Sequence, residues 1–457
     1  MTREPLYGPT FAELANPALL APALAERARA ARAEPLSPDN LFNLHWYGAD
    51  GALQKLVLPK ALTGIDANII VLTGRHFPTG AHKVGPAYSL VVEKQLEGAT
   101  APGRHTLVFP STGNFGIGGA WVGPRMGYAS TVVLPADMSA ERFEKIRGYG
   151  AEVIATPGSE SNVKEIFDKV HELRRDPKNC ILNQFAELGN YRYHYAVTGA
   201  AAAASVSGVG DGRVAAFVSA MGSAGTIAAG DYLKAKFASC ATVALEPQQC
   251  PTLYDCGYGA HAIEGIGDKH VTWIHNVLST DLLFCIDDAE TLRGLQLFEE
   301  GTATLVESGV PEALARSLVG VFGMSGICNV LGAIKTARAL GLGAGQNVVT
   351  VATDGFDRYP SVLQRLTQRE GPQTREVALR RLELFHHART DWMLAGTREV
   401  RRRWHNQKYY TWVEQQGKSV AELDAMLSPE FWLREQARVA ELDRGILATR
   451  GATHPGG

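Results

Sequence analysis

Short β-branched runs alternate with amphipathic stretches between residues 69 and 353, and this alternation constrains the fold more than any other feature. The runs are IIVL (69–72), TLVF (106–109), STVVL (130–134), AEVIA (151–155), RVAAFVS (213–219) and NVVTVAT (347–353), each closed by Gly, Pro, Ser or Thr. Between them the spacing predicts helices over AYSLVVEKQLE (87–97), SAERFEKIRGYG (139–150), VKEIFDKVHELRR (163–175), AGTIAAGDYLKAK (224–236) and AETLRGLQLFEEGTATLV (289–306). Buried strands alternating with helices imply an α/β chain with mainly parallel sheets, right-handed crossovers and helices on both faces. In such sheets ligands bind outside the carboxyl ends of the strands. After about residue 370 the strands are expected to stop; REVALRRLELFHHARTDWML (375–394), REVRRRWHNQKYYTWVEQQ (398–416) and SVAELDAML (419–427) read as helices. At the other end, residues 1–40 read as a polar arm with one helix, ALLAPALAERARAARAE, at 18–34.

The 457 residues suggest two or three domains. Lys plus Arg is 45 and Asp plus Glu is 47, a net charge of −2, so no global field draws nucleic acid or an anionic membrane to the chain. No apolar run approaches a membrane span, and the opening MTREPLYGPTFAEL lacks the basic-then-apolar pattern of a secretory signal, so a cytoplasmic protein is expected. Cys180, Cys240, Cys250, Cys256, Cys285 and Cys328 are too scattered for a disulfide framework and form no CxxC pair. Reduced thiols and no structural metal are expected. Four of the seven tryptophans (Trp392, Trp404, Trp412, Trp432) fall after residue 370, so the extension must bury them against a partner surface.

Three loops carry the chemistry. FPTGAHKVGP (77–86) sets Lys83 where a loop becomes a helix. A lysine there is either a solvated loop residue or a Schiff-base amine, which needs a protected junction because only the neutral amine attacks a carbonyl. PSTGNFGIGG (110–119) follows a strand and opens a helix, where small residues leave backbone N–H groups free for a carboxylate or phosphate; close packing of helix on strand would also explain the glycines. SAMGSAGTIAAG (219–230) lacks both the GxxxxGK[ST] and the GxGxxG pattern, and what remains, Gly222-Ser223-Ala224-Gly225-Thr226, is a cup suited to one phosphate monoester.

In order along residues 50–365, these motifs resemble those of fold-type II pyridoxal-phosphate enzymes of the tryptophan synthase β superfamily, above all the O-acetylserine sulfhydrylase and cystathionine β-synthase branch. PTGAHK is similar to the Schiff-base segment, STGNFG to the substrate-carboxylate loop, KIRGYGAEVI (145–154) to the lysine-to-GAE turn and NQF (183–185) to the run whose glutamine faces substrate. GSAGT resembles the phosphate cup, the segment 244–267 the stretch ending beside the cofactor ring, GMSG (323–326) the pyridine-nitrogen partner and DGFDRY (354–359) the closing G-E-R-Y run. Departures narrow the likeness. His82 before Lys83 is the tryptophan synthase form, Ser111 stands where that enzyme has its indole-handling glutamate, and Phe115 replaces the sulfhydrylase threonine.

The resemblance implies two three-layer α/β domains, a smaller substrate and Schiff-base domain over 46–195 and a larger phosphate-binding domain over 196–370, between an arm (1–45) and a helical extension (371–457). It further implies pyridoxal 5'-phosphate held by Lys83, by Gly222, Ser223, Ala224, Gly225 and Thr226, by Asn114 and by Ser325, and a substrate carboxylate on Ser111, Thr112 and Gly113 with Phe115 and Gln184 beside it. Lys83 would be the catalytic base, the substrate a small amino acid with a β-leaving group, and the intermediate an aminoacrylate. A thiol or other nucleophile then adds, giving β-replacement, or hydrolysis follows, as in serine and threonine dehydratases. A homodimer is expected. A non-catalytic binding module on this fold would normally have lost the lysine or the cup.

Overall fold

A computed structural model describes residues 7–111, 113–138, 140–157 and 163–453. Among the described residues eleven strands form two sheets: β1 (Lys55–Leu58), β2 (Asn68–Thr73), β3 (Thr106–Pro110), β4 (Ala129–Pro135), β5 (Glu152–Thr156), β6 (Asn179–Ile181), β7 (Val214–Ala220), β8 (Ala241–Pro247), β9 (Leu282–Ile286), β10 (Asn347–Ala352) and β11 (Met393–Ala395). The larger sheet has the order β1-β2-β10-β7-β8-β9-β11 and the smaller one β5-β4-β3-β6. All pairs are parallel except β1 with β2 and β11 with β9, the two edges of the larger sheet.

Successive residues of the central strands feed opposite cores, as strands covered on both faces require. Ile69 and Val71 of β2, with Ala216 and Val218 of β7, join one buried cluster; Ile70 and Leu72, with Phe217, join another. Helices on both faces complete the layers. Each sheet also contains a point where the chain reverses its direction of growth, between β3 and β6 in the smaller sheet and between β7 and β10 in the larger. Such crevices are where parallel sheets admit ligands.

Several sequence expectations are corrected. Residues 46–195 do not all belong with the smaller sheet: β1 and β2 pair into the larger one, β2 lying parallel to β10 from Asn68↔Asn347 to Thr73↔Ala352. Strands do not stop at 370. Residues 393–395 run antiparallel to Phe284–Leu282 and close the open edge of β9, so DWML is strand-forming and not the end of a helix. The helix read at 289–306 breaks at Gly301 into Asp288–Glu300 and Thr302–Glu307. The helix read at 18–34 is a 3₁₀ turn, Pro17–Leu19, followed by Pro22–Ala31, because Pro22 lacks the N–H that would continue the first turn. The arm is less polar than its composition suggests: Phe11, Leu14, Leu41 and Leu44 are buried in the main core.

The extension docks on its own chain. Trp404, Trp412 and Trp432 are buried, while Trp392 remains 40% exposed. The helix Arg398–Lys408 grips the segment after β8 through its backbone carbonyls: Trp404 Nε1 donates to Leu253 O at 2.7 Å, Trp412 Nε1 in the turn that follows donates to Val271 O at 2.8 Å, and Lys408 Nζ donates to Trp273 O at 2.9 Å and His275 O at 2.7 Å. The final helix, Pro429–Thr453, starts beside this cluster, where Trp432 packs with Trp412 and Trp273, and runs along the helices Val84–Leu96 and Leu188–Tyr193. There Glu435 pairs with the buried Arg192, which also pairs with Glu93, and Asp443 accepts from the N–H groups of Phe11 and Ala12 at 2.6 and 3.1 Å. No helix among the described residues is long and apolar enough to cross a membrane.

Candidate active site

The loops that follow β2, β3, β6, β7 and β10 meet in one cleft. The loop before Lys83 is tied to the end of β10: Gly74 N donates to Ala352 O at 2.8 Å, His82 N donates to Thr353 O at 3.0 Å, and Ala81 bridges to Asp354. Lys83 then precedes the helix Val84–Leu96. The neighbouring helix Asn114–Arg125 lies so close that a Cβ on Gly118 would sit 2.9 Å from Val84 Cα and 3.1 Å from Lys83 O, which is why that position is glycine. Lys83 Nζ donates to Ser223 Oγ at 3.1 Å. Burial pushes its pKa from 10.5 down to about 8, against the opposing pull of Asp268.

Opposite the lysine, β7 opens into the Gly222–Thr226 cup. The N–H groups of Gly222, Ser223, Ala224 and Gly225 donate to no acceptor among the described residues, a row of donors that an anion would satisfy. Ala224 lies at φ +62°, a left-handed conformation that turns the chain there despite its Cβ. A Cβ on Gly222 would lie 2.6 Å from Gly265 O, and one on Gly225 would lie 2.0 Å from Asn190 Oδ1. Asn190 Nδ2 donates to Ser223 Oγ and to Gln184 O, both at 2.9 Å, joining the cup to the loop after β6. Thr226 Oγ1 is hydrogen-bonded to His82 Nε2 at 3.3 Å; burial holds that imidazole neutral, its pKa well below the usual range.

On the smaller-sheet side, Ser111, Gly113, Asn114, Phe115 and Gln184 line the cleft. Ser111 Oγ accepts from Gly113 N at 3.2 Å, shaping the turn. Thr112 lies outside the described residues. Asn114 is held at both ends of its amide: Nδ2 donates to Asp354 Oδ2 and Oδ1 accepts from Arg358 Nη1, each at 2.6 Å. Its Nδ2 keeps a second proton. Asp354 is fully buried and also accepts from Tyr359 Oη at 2.8 Å. Phe115 is buried edge-on to Phe109, and Gln184 Oε1 is buried with no partner among the described residues. Ser325, in the first turn of the helix Met324–Ala339, lines the cleft with Asn329, whose amide bonds Ala220 N and Val351 O, both at 2.7 Å.

Of the described residues that the sequence singled out, Lys83, Ser111, Gly113, Asn114, Phe115, Gln184, Gly222, Ser223, Thr226 and Ser325 line the cleft, while Ala224 and Gly225 do not. A lysine whose burial favours the neutral amine, four unpartnered N–H donors and a neutral hydroxyl at Ser325 fit the pyridoxal phosphate that the resemblance implies. Other participants were not anticipated. Asn190, Asn329 and Asp268 have no local sequence signal; they are ordinary polar residues whose importance comes from what the fold sets beside them. Asp354 and Arg358 were quoted within DGFDRY, but their hold on Asn114 is visible only in three dimensions.

Residues 58–354 match the family of pyridoxal-phosphate dependent enzymes. A cysteine synthase of Staphylococcus aureus is 30% identical over 296 residues, 65% of this chain and 88% of that protein. Among solved structures, a cysteine synthase of Entamoeba histolytica superposes with a TM-score of 0.62 at 22% identity, covering 74% of this chain and 94% of that one. An O-acetylserine-dependent cystathionine β-synthase of Helicobacter pylori gives 0.57 at 24% identity, covering 67% and 94%. The matched region ends before the extension.

Proposed function

We propose, for a chain that belongs to the pyridoxal-phosphate dependent enzymes, that it catalyses β-replacement on a small amino acid of the serine, O-acylserine or cysteine type. The observation that carries this reading is the pairing of Lys83 Nζ with Ser223 Oγ at 3.1 Å, which sets the amine against the cup of free N–H donors. The cofactor, bound at Lys83 and that cup, supplies an electron sink conjugated to the substrate α-carbon.

The chain's own residues do the rest. Ser111, the N–H groups of its loop and Gln184 hold the substrate carboxylate, which leaves the α-hydrogen facing Lys83. The Lys83 amine, pushed by burial toward its neutral form at about 8, takes that proton and later returns it. Ser325 offers the ring a hydroxyl in place of a carboxylate. It forces no proton onto the pyridine nitrogen, so the sink is moderate and loss of a β-substituent is favoured over transamination. Phe115, buried beside the carboxylate loop, keeps that side dry and disfavours hydrolysis of the unsaturated skeleton left behind. A homodimer is supported by the family likeness, and a reducing, cytoplasmic setting by six unpaired cysteines.

The test follows keto-acid release from serine, O-acetylserine and cysteine with and without added thiols. Thiols should suppress keto acid and yield a new amino acid. Rapid keto-acid formation that thiols neither suppress nor divert assigns the chain to dehydratase-like ammonia-lyase action instead.

A further inference from the structure

Lys83 Nζ and Asn190 Nδ2 both donate to Ser223 Oγ, at 3.1 and 2.9 Å. A hydroxyl oxygen has two lone pairs, so these donors fill it, and Ser223 keeps its own proton for an anion in the cup. Asn190 does not line the cleft; it is the third residue of the helix Leu188–Tyr193 and is buried behind Ser223. Its second Nδ2 proton goes to Gln184 O at 2.9 Å. A carbonyl only accepts, which fixes the amide with its nitrogen toward Gln184 and Ser223. Oδ1 then lies over Gly225, where a Cβ would be 2.0 Å away, and has no hydrogen-bond partner among the described residues. The amide is thus held by its two donors alone. One goes to the partner of the lysine, the other to the backbone of a residue on the substrate side of the cleft.

An amine that takes a proton must be aimed as well as neutral. A neutral lysine has two N–H bonds and one lone pair, and tying one N–H to a fixed oxygen limits where the lone pair can turn. With Asn190 gone, Ser223 Oγ is held by the lysine alone, and the two can turn together. We propose that Asn190 is a positioning residue for the proton transfers of Lys83: it pins Ser223 Oγ as the acceptor from which the free amine is held by one N–H, and it ties the substrate side to the same amide through Gln184. The inference rests on the β-replacement reading. In the step it serves, the amine lone pair forms an N–H bond as the Cα–H bond breaks, and the electrons of that bond expel the β-substituent. The same amine returns the proton once the nucleophile has added.

The test compares wild-type holoenzyme with Asn190→Ala, using 2-mercaptoethanol and O-acetylserine with hydrogen or deuterium at Cα. Rates are taken per bound cofactor, read by absorbance, so that lost cofactor does not count as lost positioning. In Asn190→Ala kcat should fall ~10–10²-fold, and its α-deuterium isotope effect should rise because proton removal becomes the slow step. A merely structural role would leave the isotope effect per loaded chain at its wild-type value. A second readout needs no cofactor. In apo protein the pH midpoint for amine labelling of Lys83, about 8 in the wild type, should fall in Ser223→Ala, which removes the acceptor of the charged form. It should rise in Asn190→Asp, whose carboxylate takes the Ser223 proton and leaves lone pairs for the lysine. If Asn190→Ala holds no cofactor, these midpoints decide. An unchanged isotope effect in Asn190→Ala, or apo midpoints that do not move, overturns the role of Asn190 and leaves the β-replacement reading intact. Wild-type enzyme that releases keto acid and forms no thiol adduct overturns that reading and not the role of Asn190, because elimination draws on the same proton.

Discussion

Replacing Lys408 by methionine removes a charge from an apolar site, and the consequence for stability depends on pH. The amine is fully buried, and burial alone pushes its pKa from 10.5 to about 7. Once deprotonated it keeps two N–H groups, one for Trp273 O and one for His275 O, so both hydrogen bonds outlast the charge. The unfolded chain holds this proton up to about 10.5. Between pH 7 and 10.5 the unfolded state therefore binds one proton more than the native state, and stability rises with pH by ~1.4 kcal/mol per unit. Across that window the sum is on the order of 5 kcal/mol, and below pH 7 the whole penalty of the buried charge is felt. Methionine has no such linkage, but it leaves two carbonyls without their donor, at ~1–3 kcal/mol each. The two losses nearly offset at pH 6, where variant and wild type should be close. The wild type should then gain on Lys408→Met by ~1.4 kcal/mol per unit between pH 7 and 9.5. Denaturant unfolding of the two holoproteins in parallel buffers, followed by tryptophan fluorescence, measures the difference. A gap that stays constant from pH 6 to 9.5 would refute the burial of a chargeable amine beneath the extension.

Borohydride reduction of the loaded enzyme followed by peptide mapping should place the cofactor adduct on Lys83, and Lys83→Ala should lower activity by ~10³-fold or more; an adduct on another lysine sinks the assignment. Gly225→Val drives a Cβ to within 2.0 Å of Asn190 Oδ1 and should weaken cofactor retention at least ~10-fold, read by equilibrium titration of apo protein. Unchanged retention would put the phosphate elsewhere. Truncation after residue 370 exposes the surfaces that Trp404, Trp412 and Trp432 cover, and should give aggregated protein or one that loses cofactor on gel filtration. A monodisperse, fully loaded truncation would deny the extension a structural role.

The parallel sheets and the glycine-rich turn after β7 were legible because their signals are local: a β-branched run ending in small residues reports a buried strand and the loop at its carboxyl end. Lys83 was legible for the same reason, since its loop, turn and helix are contiguous. Sheet membership was not. β2 carries the same kind of run as β3, and only pairing with β10, far along the chain, places it in the larger sheet. β11 was missed because three residues make no periodicity; its strand exists because β9 presents an open edge. The longest helix, Pro429–Thr453, went unread beside the shorter ones before it. Its partners, Arg192, Phe11 and Ala12, lie hundreds of residues away and leave no mark on the local sequence.

The division between family and chain falls along the same line. The matched region, 58–354, contains Lys83, the Gly222–Thr226 turn, the Ser111–Phe115 loop and Ser325, which the sequence shows as contiguous motifs. Beyond it, the extension fastens the backbone of residues 253–275 at the carbonyls of Leu253, Tyr254, Val271, Trp273 and His275. Within that fastened stretch lie Gly265, whose carbonyl meets the Gly222 turn, and Asp268, which lines the cleft. A loop held only at its ends would leave both free to shift against the Gly222 turn. Held at Leu253, Val271, Trp273 and His275, it presents one arrangement. The tryptophans and the buried lysine of the extension therefore remove freedom from the segment that carries Gly265 and Asp268 to the cleft.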